Sequence, residues 1–284
     1  MSLFTKFFIA FAVWTVGFLS LAAYAGEKAF QNDPQLISKI EDKFNVSIRM
    51  GGMSKGYGVG PAAHDKTQDT WNFAPPAKKV TFKSFSGNFS IKKSAGNEIK
   101  ISATGKLDKN VAPRLLETEV NNDELTVREP ENNAVKDLEV QIEIPASFTS
   151  TVDVMTVSGD VTVENLNVQN LDLKTVSGEM TLNQVTAKNL AVKTVSGDFK
   201  AEASSITKME GKSVSGDLEI TNTTPSNVDF TSVSGDVKMK IAKADKTHFS
   251  LKSVSGDIHN RHGSDKGGEF NVTISTTSGD IEIE

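Results

Sequence analysis

The tetrad Val-Ser-Gly-Asp returns at a nearly fixed interval through the second half of the chain. It stands at Val157-Ser158-Gly159-Asp160. It recurs as Val176-Ser177-Gly178-Glu179, Val195-Ser196-Gly197-Asp198, Val214-Ser215-Gly216-Asp217, Val233-Ser234-Gly235-Asp236 and Val254-Ser255-Gly256-Asp257. A last copy reads Thr277-Ser278-Gly279-Asp280. From glycine to glycine the spacing is 19 residues four times, then 21, then 23. A short fixed period marks a stacked repeat, because one such unit cannot bury a face alone and must be covered by its neighbours.

Aligning the tetrads brings the rest of the period into register. Val152, Leu171, Leu190, Met209, Val228, Phe249 and Val272 form one apolar column. A second begins Val154, Leu173, Val192, and a third, two residues after each glycine, begins Val161, Met180, Phe199, Leu218. Val163, Leu182, Ala201 and Ile220 follow two residues further on. Each repeat therefore carries two period-2 segments, the pattern of half-buried strands. An antiparallel meander with Ser-Gly hairpin turns also fits two strands per repeat. It gives no reason for every turn to share one tetrad. A parallel β-solenoid does, because each side chain then stacks on its own counterpart ~4.8 Å along the axis. The expected fold is thus all-β, a solenoid of about 19-residue coils.

The tetrad glycines Gly159, Gly178, Gly197, Gly216, Gly235, Gly256 and Gly279 read as corner residues, needing either a positive φ or a close backbone approach. A degenerate earlier copy, Ser84-Phe85-Ser86-Gly87-Asn88, adds Gly87. Between it and the regular coils, Val80 to Ile144 is β-rich, with a hairpin expected around Asn121-Asn122-Asp123. This stretch reads as the first, irregular turns of the same solenoid. The repeat domain then spans 79–284, with regular coils over 150–284.

The segments before it carry other signals. Lys6, the apolar run Phe7–Ala22 and Ala23-Tyr24-Ala25 read as an export signal over 1–25. A retained membrane anchor is the rival reading, although the run is short for a span. Either way the remainder lies outside the cytoplasm. Residues 26–78 read as a short amphipathic helix plus a flexible linker. The helix starts at Asp33-Pro34 and places Leu36, Ile37, Ile40 and Phe44 on one face. Its expected role is to cap the stack; docking to a partner is the other.

Composition narrows the function classes. The net charge of -5 and only four arginines argue against nucleic acid or an anionic membrane as partner. The absence of cysteine removes disulfides, thiolate metal sites and cysteine nucleophiles.

A strand ending in Ser-Gly-Asn, a strand closing in Ile144-Pro145, and then serial Thr-Val-Ser-Gly-Asp turns resemble the bacterial β-strand-repeat family labelled "putative adhesin", a domain of unknown function. The similarity covers about residues 79–284. It implies a β-helix-like fold on exported or membrane-anchored proteins and carries no catalytic residues. Here Asn88 and Glu179 stand where the motif has Asp, and Thr277 where it has Val.

Several columns are candidate surfaces. Asp160, Glu179, Asp198, Asp217, Asp236, Asp257 and Asp280 should share one edge, where neighbouring carboxylates ~5 Å apart repel by roughly 0.8 kcal/mol in water. Calcium, turn amides or simple solvation could offset that. One acid per coil is sparse for a calcium loop, so no cofactor is expected. The hydroxyl column Thr156, Thr175, Thr194, Ser213, Ser232, Ser253 and Thr276 reads as backbone-satisfying, not nucleophilic. The Val column faces core if a corner precedes the tetrad, the expected arrangement, or forms an exposed stripe if strict alternation holds. His259-Asn260-Arg261-His262 reads as an exposed loop, and the last coil as an open edge blunted by Glu282 and Glu284.

The expected function is a non-enzymatic structural or adhesin-like module at the bacterial envelope: periplasm, cell surface or secreted. Its partner would be an envelope protein, a surface polysaccharide or itself, and a membrane only if the N-terminal segment is retained. The alternatives are a polysaccharide-processing β-helix enzyme, and a sensor or chaperone-like module acting through the N-terminal helix. The monotony of the repeats offers no convergent catalytic cluster.

Overall fold

The computed structural model describes residues 65–130, 134–241, 246–262 and 269–284. The expected signal segment, the N-terminal helix and the linker up to residue 64 lie outside these residues. The strands are β1 (Asp65–Phe73), β2 (Lys79–Lys83), β3 (Asn88–Ser94), β4 (Ile99–Leu107), β5 (Glu117–Asn121), β6 (Glu124–Arg128), β7 (Val135–Pro145), β8 (Thr151–Met155), β9 (Val161–Glu164) and β10 (Asn167–Lys174). They continue with β11 (Met180–Asn183), β12 (Thr186–Lys193), β13 (Phe199–Glu202), β14 (Ser205–Lys212), β15 (Leu218–Thr231), β16 (Val237–Ile241), β17 (Thr247–Lys252), β18 (Ile258–Asn260), β19 (Phe270–Ser275) and β20 (Ile281–Ile283). No α-helix occurs among the described residues.

The strands form two facing, mostly parallel sheets. In the first, β8, β10, β12 and β14 stack in parallel, with Val152, Leu171, Leu190 and Met209 in one register column. In the second, β9, β11, β13 and the start of β15 do the same through Val161, Met180, Phe199 and Leu218. One rung is a first-sheet strand, a tetrad corner and a second-sheet strand. Parallel pairing excludes the antiparallel meander, since hairpin turns join only antiparallel neighbours. The apolar columns from both sheets point between them and are buried, which makes one continuous core.

Rung order departs from chain order at both ends. The rung β2/β3 sits between β6/β7 and β8/β9. The final coil β19/β20 is inserted between β15/β16 and β17/β18. The serial stacking expected from the sequence is therefore corrected here. The column runs Val228, Val272, Phe249 in space, not Val228, Phe249, Val272. The longer spacings of 21 and 23 residues supply the chain needed to pass over one ~4.8 Å rung and return. The outermost rung is β17/β18, so Glu282 and Glu284 do not blunt the open edge as expected.

The opposite end is irregular, as read from the sequence, but part of it is antiparallel. β4 pairs antiparallel with both β7 and β1, and β5 with β6. The β5–β6 turn carries Asn122 and Asp123 at φ 50° and 64°, as the hairpin signal implied. Asp65–Phe73 belongs to the stretch expected to be linker, yet it forms β1, an edge strand anchored by buried Trp71. Its outward polar residues hide the alternation. Leu115 and Leu116, from the β4–β5 connection, are also buried.

Candidate binding surface: the tetrad corner

Each corner is built from backbone outward. Strand alternation puts Val152 and Val154 in the core and carries Thr156 inward as well. The buried Thr156 Oγ1 then accepts the N–H of Gly159 at 3.0 Å. The same bond joins Thr175 to Gly178, Thr194 to Gly197, Ser213 to Gly216, Ser232 to Gly235, Ser253 to Gly256 and Thr276 to Gly279. In the first copy Ser84 holds Gly87. The hydroxyl column is thus satisfied by backbone, as the sequence implied, which meets the demand that a buried N–H be paired.

The glycine requirement comes from close approach. None of the tetrad glycines lies in the left-handed region of φ that side chains avoid. A Cβ on Gly178 would sit 2.6 Å from the carbonyl carbon of Gly159 and closer still to its oxygen. Gly159 meets Gly87 in the same way, so the degenerate copy is a true member of the column. Positive φ is used at the second corner instead, by Asn165, Gln184, Ala203 and Asn222 at 49–55°. That corner carries no glycine, and its mixed residue types gave sequence reading no signal beyond the bare 19-residue spacing.

The next link is between rungs. Each tetrad serine donates its N–H to the preceding rung's Val-position carbonyl, as from Ser196 to Val176 at 2.8 Å. The acids form a ladder. Glu179 N–H donates to Asp160 Oδ1, Asp217 to Asp198, Asp236 to Asp217, Asp280 to Asp236 and Asp257 to Asp280, all at 2.8–2.9 Å. Asp160 N–H donates to Asn88 Oδ1. Of the three ways to offset carboxylate repulsion, the turn amides are the one this geometry supplies. Glu179, one methylene longer, directs its carboxylate to Lys200 Nζ at 3.1 Å and to the Thr181 hydroxyl. That hydrogen bond, reinforced by the charge, raises the Lys200 pKa. No cluster of three metal-ligating side chains occurs among the described residues.

The expectation that the Val column faces the core is corrected by this arrangement. The hydroxyl already occupies the inside of the corner, so the following residue turns outward. Val157, Val176, Val195, Val214 and Val233 are all half-buried. The column is extended by Phe85 at one end, 41% exposed, and by Thr277 and then Val254, 64% exposed, at the other. These eight positions form a stripe roughly 34 Å long at ~4.8 Å intervals. The tetrad serines, exposed except for the half-buried Ser215, and the acid ladder run beside it. His259 and Asn260, expected in a loop, belong to β18. Arg261 pairs with Glu284 at 3.3 Å.

A charged group also lies on the outer face of the first sheet. Asp153, its side chain 5% exposed, receives Lys79 Nζ at 2.8 Å and Lys174 Nζ at 3.4 Å. Asp172, beside it in register, has its pKa raised, chiefly by burial and then by the Asp153 charge. The sequence did not mark either residue, because both sit at outward positions of an otherwise ordinary alternation.

Two parallel sheets closed by recurring corners, with one outward apolar stripe, define a β-solenoid-like repeat protein. Residues 77–284 match the family model described as Toastrack DUF4097, and the chain belongs to that family, a domain of unknown function. Among solved structures, it is similar to one described as a putative adhesin from Bacteroides fragilis. The identity is 18% and the TM-score 0.53, covering 77% of this chain and 97% of that one. Two structures from Parabacteroides distasonis, described as a putative adhesin and a putative lipid binding protein, give TM-scores of 0.47 and 0.49 at 13% and 15% identity. Each comparison covers 78% of this chain, with 98% and 97% of the respective structures. No curated protein matches the chain.

Proposed function

We propose that this chain is an exported, non-enzymatic binding module of the bacterial envelope whose contact surface is the tetrad corner. The observation that carries the reading is the outward stripe from Phe85 to Val254. An apolar row this long, rimmed by serine hydroxyls and carboxylates, is unusual on a solvent-facing edge and fits an extended partner. Its regular spacing suits a polymer or a flat protein face better than a compact small molecule. The signal-like residues 1–25 support export, and the adhesin description of the B. fragilis relative agrees with a binding role.

The test is capture from envelope extract by the wild-type chain and by a triple variant, Val176→Lys, Val195→Lys and Val214→Lys. These side chains leave the core untouched, so circular dichroism and the melting temperature should stay near wild type. The captured component should be lost with the variant. Capture unaffected by three lysines in the stripe would remove the corner as the contact surface. Recovery of the tagged chain in the cytoplasm alone would remove the export.

A further inference from the structure

The apolar stripe runs between two columns of opposite charge. On its first-sheet side, register aligns Lys83, Lys174, Lys193, Lys212 and Lys252 in one outward column, with Met155, Thr231 and Ser275 at the remaining rungs. No acid stands in this column. On the other side runs the acid ladder from Asp160 to Asp257, which holds no cation.

Like charges ~4.8 Å apart repel along each column. The chain relieves this only in part. Lys174 and Lys212 reach Asp153 and Glu210, and Glu179 reaches Lys200. Among the described residues, Lys193, Lys252, Asp198 and Asp257 have no ion pair. The unused cations lie on one flank of the stripe and the unused acids on the other.

We propose, resting on the stripe as a contact surface, that its partner is the stripe of a second copy of this chain, with the two stacks parallel. A second copy carries the same rung interval, so each stripe residue meets its own counterpart along the whole row. Two-fold symmetry allows two face-to-face arrangements. An axis across the stack sets lysine column against lysine column and acid ladder against acid ladder. An axis along the stack sets each lysine column against the acid ladder of the other copy. Only the second arrangement matches the charges, and it places like rungs level. Lys193 then faces Asp198 of the second copy, and Lys252 faces Asp257 of the second copy, each pair occurring twice. The contact is a narrow ridge that buries less than the ~800 Å² per partner of a standard interface, so the pair is weak and concentration-dependent.

The chain has no cysteine, so single thiols report the pairing in the full chain expressed in a bacterium. Val157→Cys and Val254→Cys stand six rungs apart, roughly 29 Å along the row. A short bis-maleimide should join each variant to itself roughly tenfold more than Lys188→Cys, an exposed control near the second corner. Mixing the two variants, differently tagged, should give no mixed product above that control. In the Val157→Cys background, Lys252→Glu and Asp257→Lys should each lower the yield several-fold, and the double exchange should restore it. Neither side chain makes a hydrogen bond or ion pair among the described residues, so circular dichroism should not change. Self-joining no greater than the control, a mixed product, or charge variants that leave the yield unchanged would each overturn the proposal. If self-joining fails while the triple lysine variant still loses its captured component, only the self-pairing falls, and the stripe contacts a different partner.

Discussion

The N–H of Asp160 donates to Oδ1 of Asn88 at 2.9 Å, although 72 residues separate them. This single bond links the degenerate first corner to the regular series. It also shows that the acid position works through its side-chain oxygen, which asparagine supplies as well as aspartate. The ladder is therefore a hydrogen-bond column first and a charge column second.

That distinction predicts how the ladder tolerates change. Asp217→Asn keeps an acceptor for the Asp236 N–H, whereas Asp217→Ala removes it. The alanine variant should lose about 0.5–1.5 kcal/mol of stability and the asparagine variant much less. Urea unfolding of the two variants measures this. Melting curves with calcium and with chelator should coincide, because Oδ1 of Asp160, Asp198, Asp217, Asp236 and Asp280 already accepts a turn N–H and the described residues bring no three metal-ligating side chains together.

Close approach predicts the cost of side chains at the corner. A Cβ on Gly197 would lie 2.9 Å from Thr194 Oγ1 and 3.0 Å from the Gly178 carbonyl carbon. Gly197→Val should destabilise by about 3 kcal/mol or more, from overpacking against backbone that cannot move away. Gly96, whose nearest such neighbour is Ser94 Oγ at 3.5 Å, is the control. Gly96→Ala should shift the denaturation midpoint little.

The buried hydroxyl predicts a split between two conservative variants. Thr194→Val leaves the buried Gly197 N–H without its acceptor and should cost about 1–3 kcal/mol. Thr194→Ser should retain most of the stability, since serine fills this position in four other corners, at Ser84, Ser213, Ser232 and Ser253. Chemical denaturation of the pair separates the hydrogen bond from the methyl contact.

Asp172 predicts a pH dependence of unusual sign for a carboxylate. Its folded pKa is raised above the ordinary aspartate value, first by burial and then by the Asp153 charge. The fold thus favours the protonated form, and this contribution is full below the unfolded pKa. It is lost as pH rises through the raised folded value. Asp172→Asn should therefore stabilise the protein at neutral pH. The gain should shrink as the pH falls through the raised value and vanish below the unfolded value. Denaturant midpoints of wild type and variant across pH 3–7 give the difference directly.

The 19-residue period was enough to fix the strand columns, the tetrad corner and the hydroxyl's backbone role. In a solenoid each residue's environment is its own counterpart one rung away, so the pattern repeats in the chain. The second corner was not legible, because Asn165, Gln184, Ala203 and Asn222 share a backbone conformation but no residue type. Nor was β1, whose outward polar residues mask a strand anchored by one buried tryptophan.

By itself the sequence determined that like corners stack. Only the tertiary structure decided which corner stacks on which, and which way each valine points. Because the corners are nearly interchangeable, rung order is set by connection lengths and by what closes each end. The last coil could thus slip beneath β17/β18 and leave Ile258 exposed. The valines turned outward because the threonine or serine hydroxyl, needed by the glycine N–H, had already filled the inside of the corner.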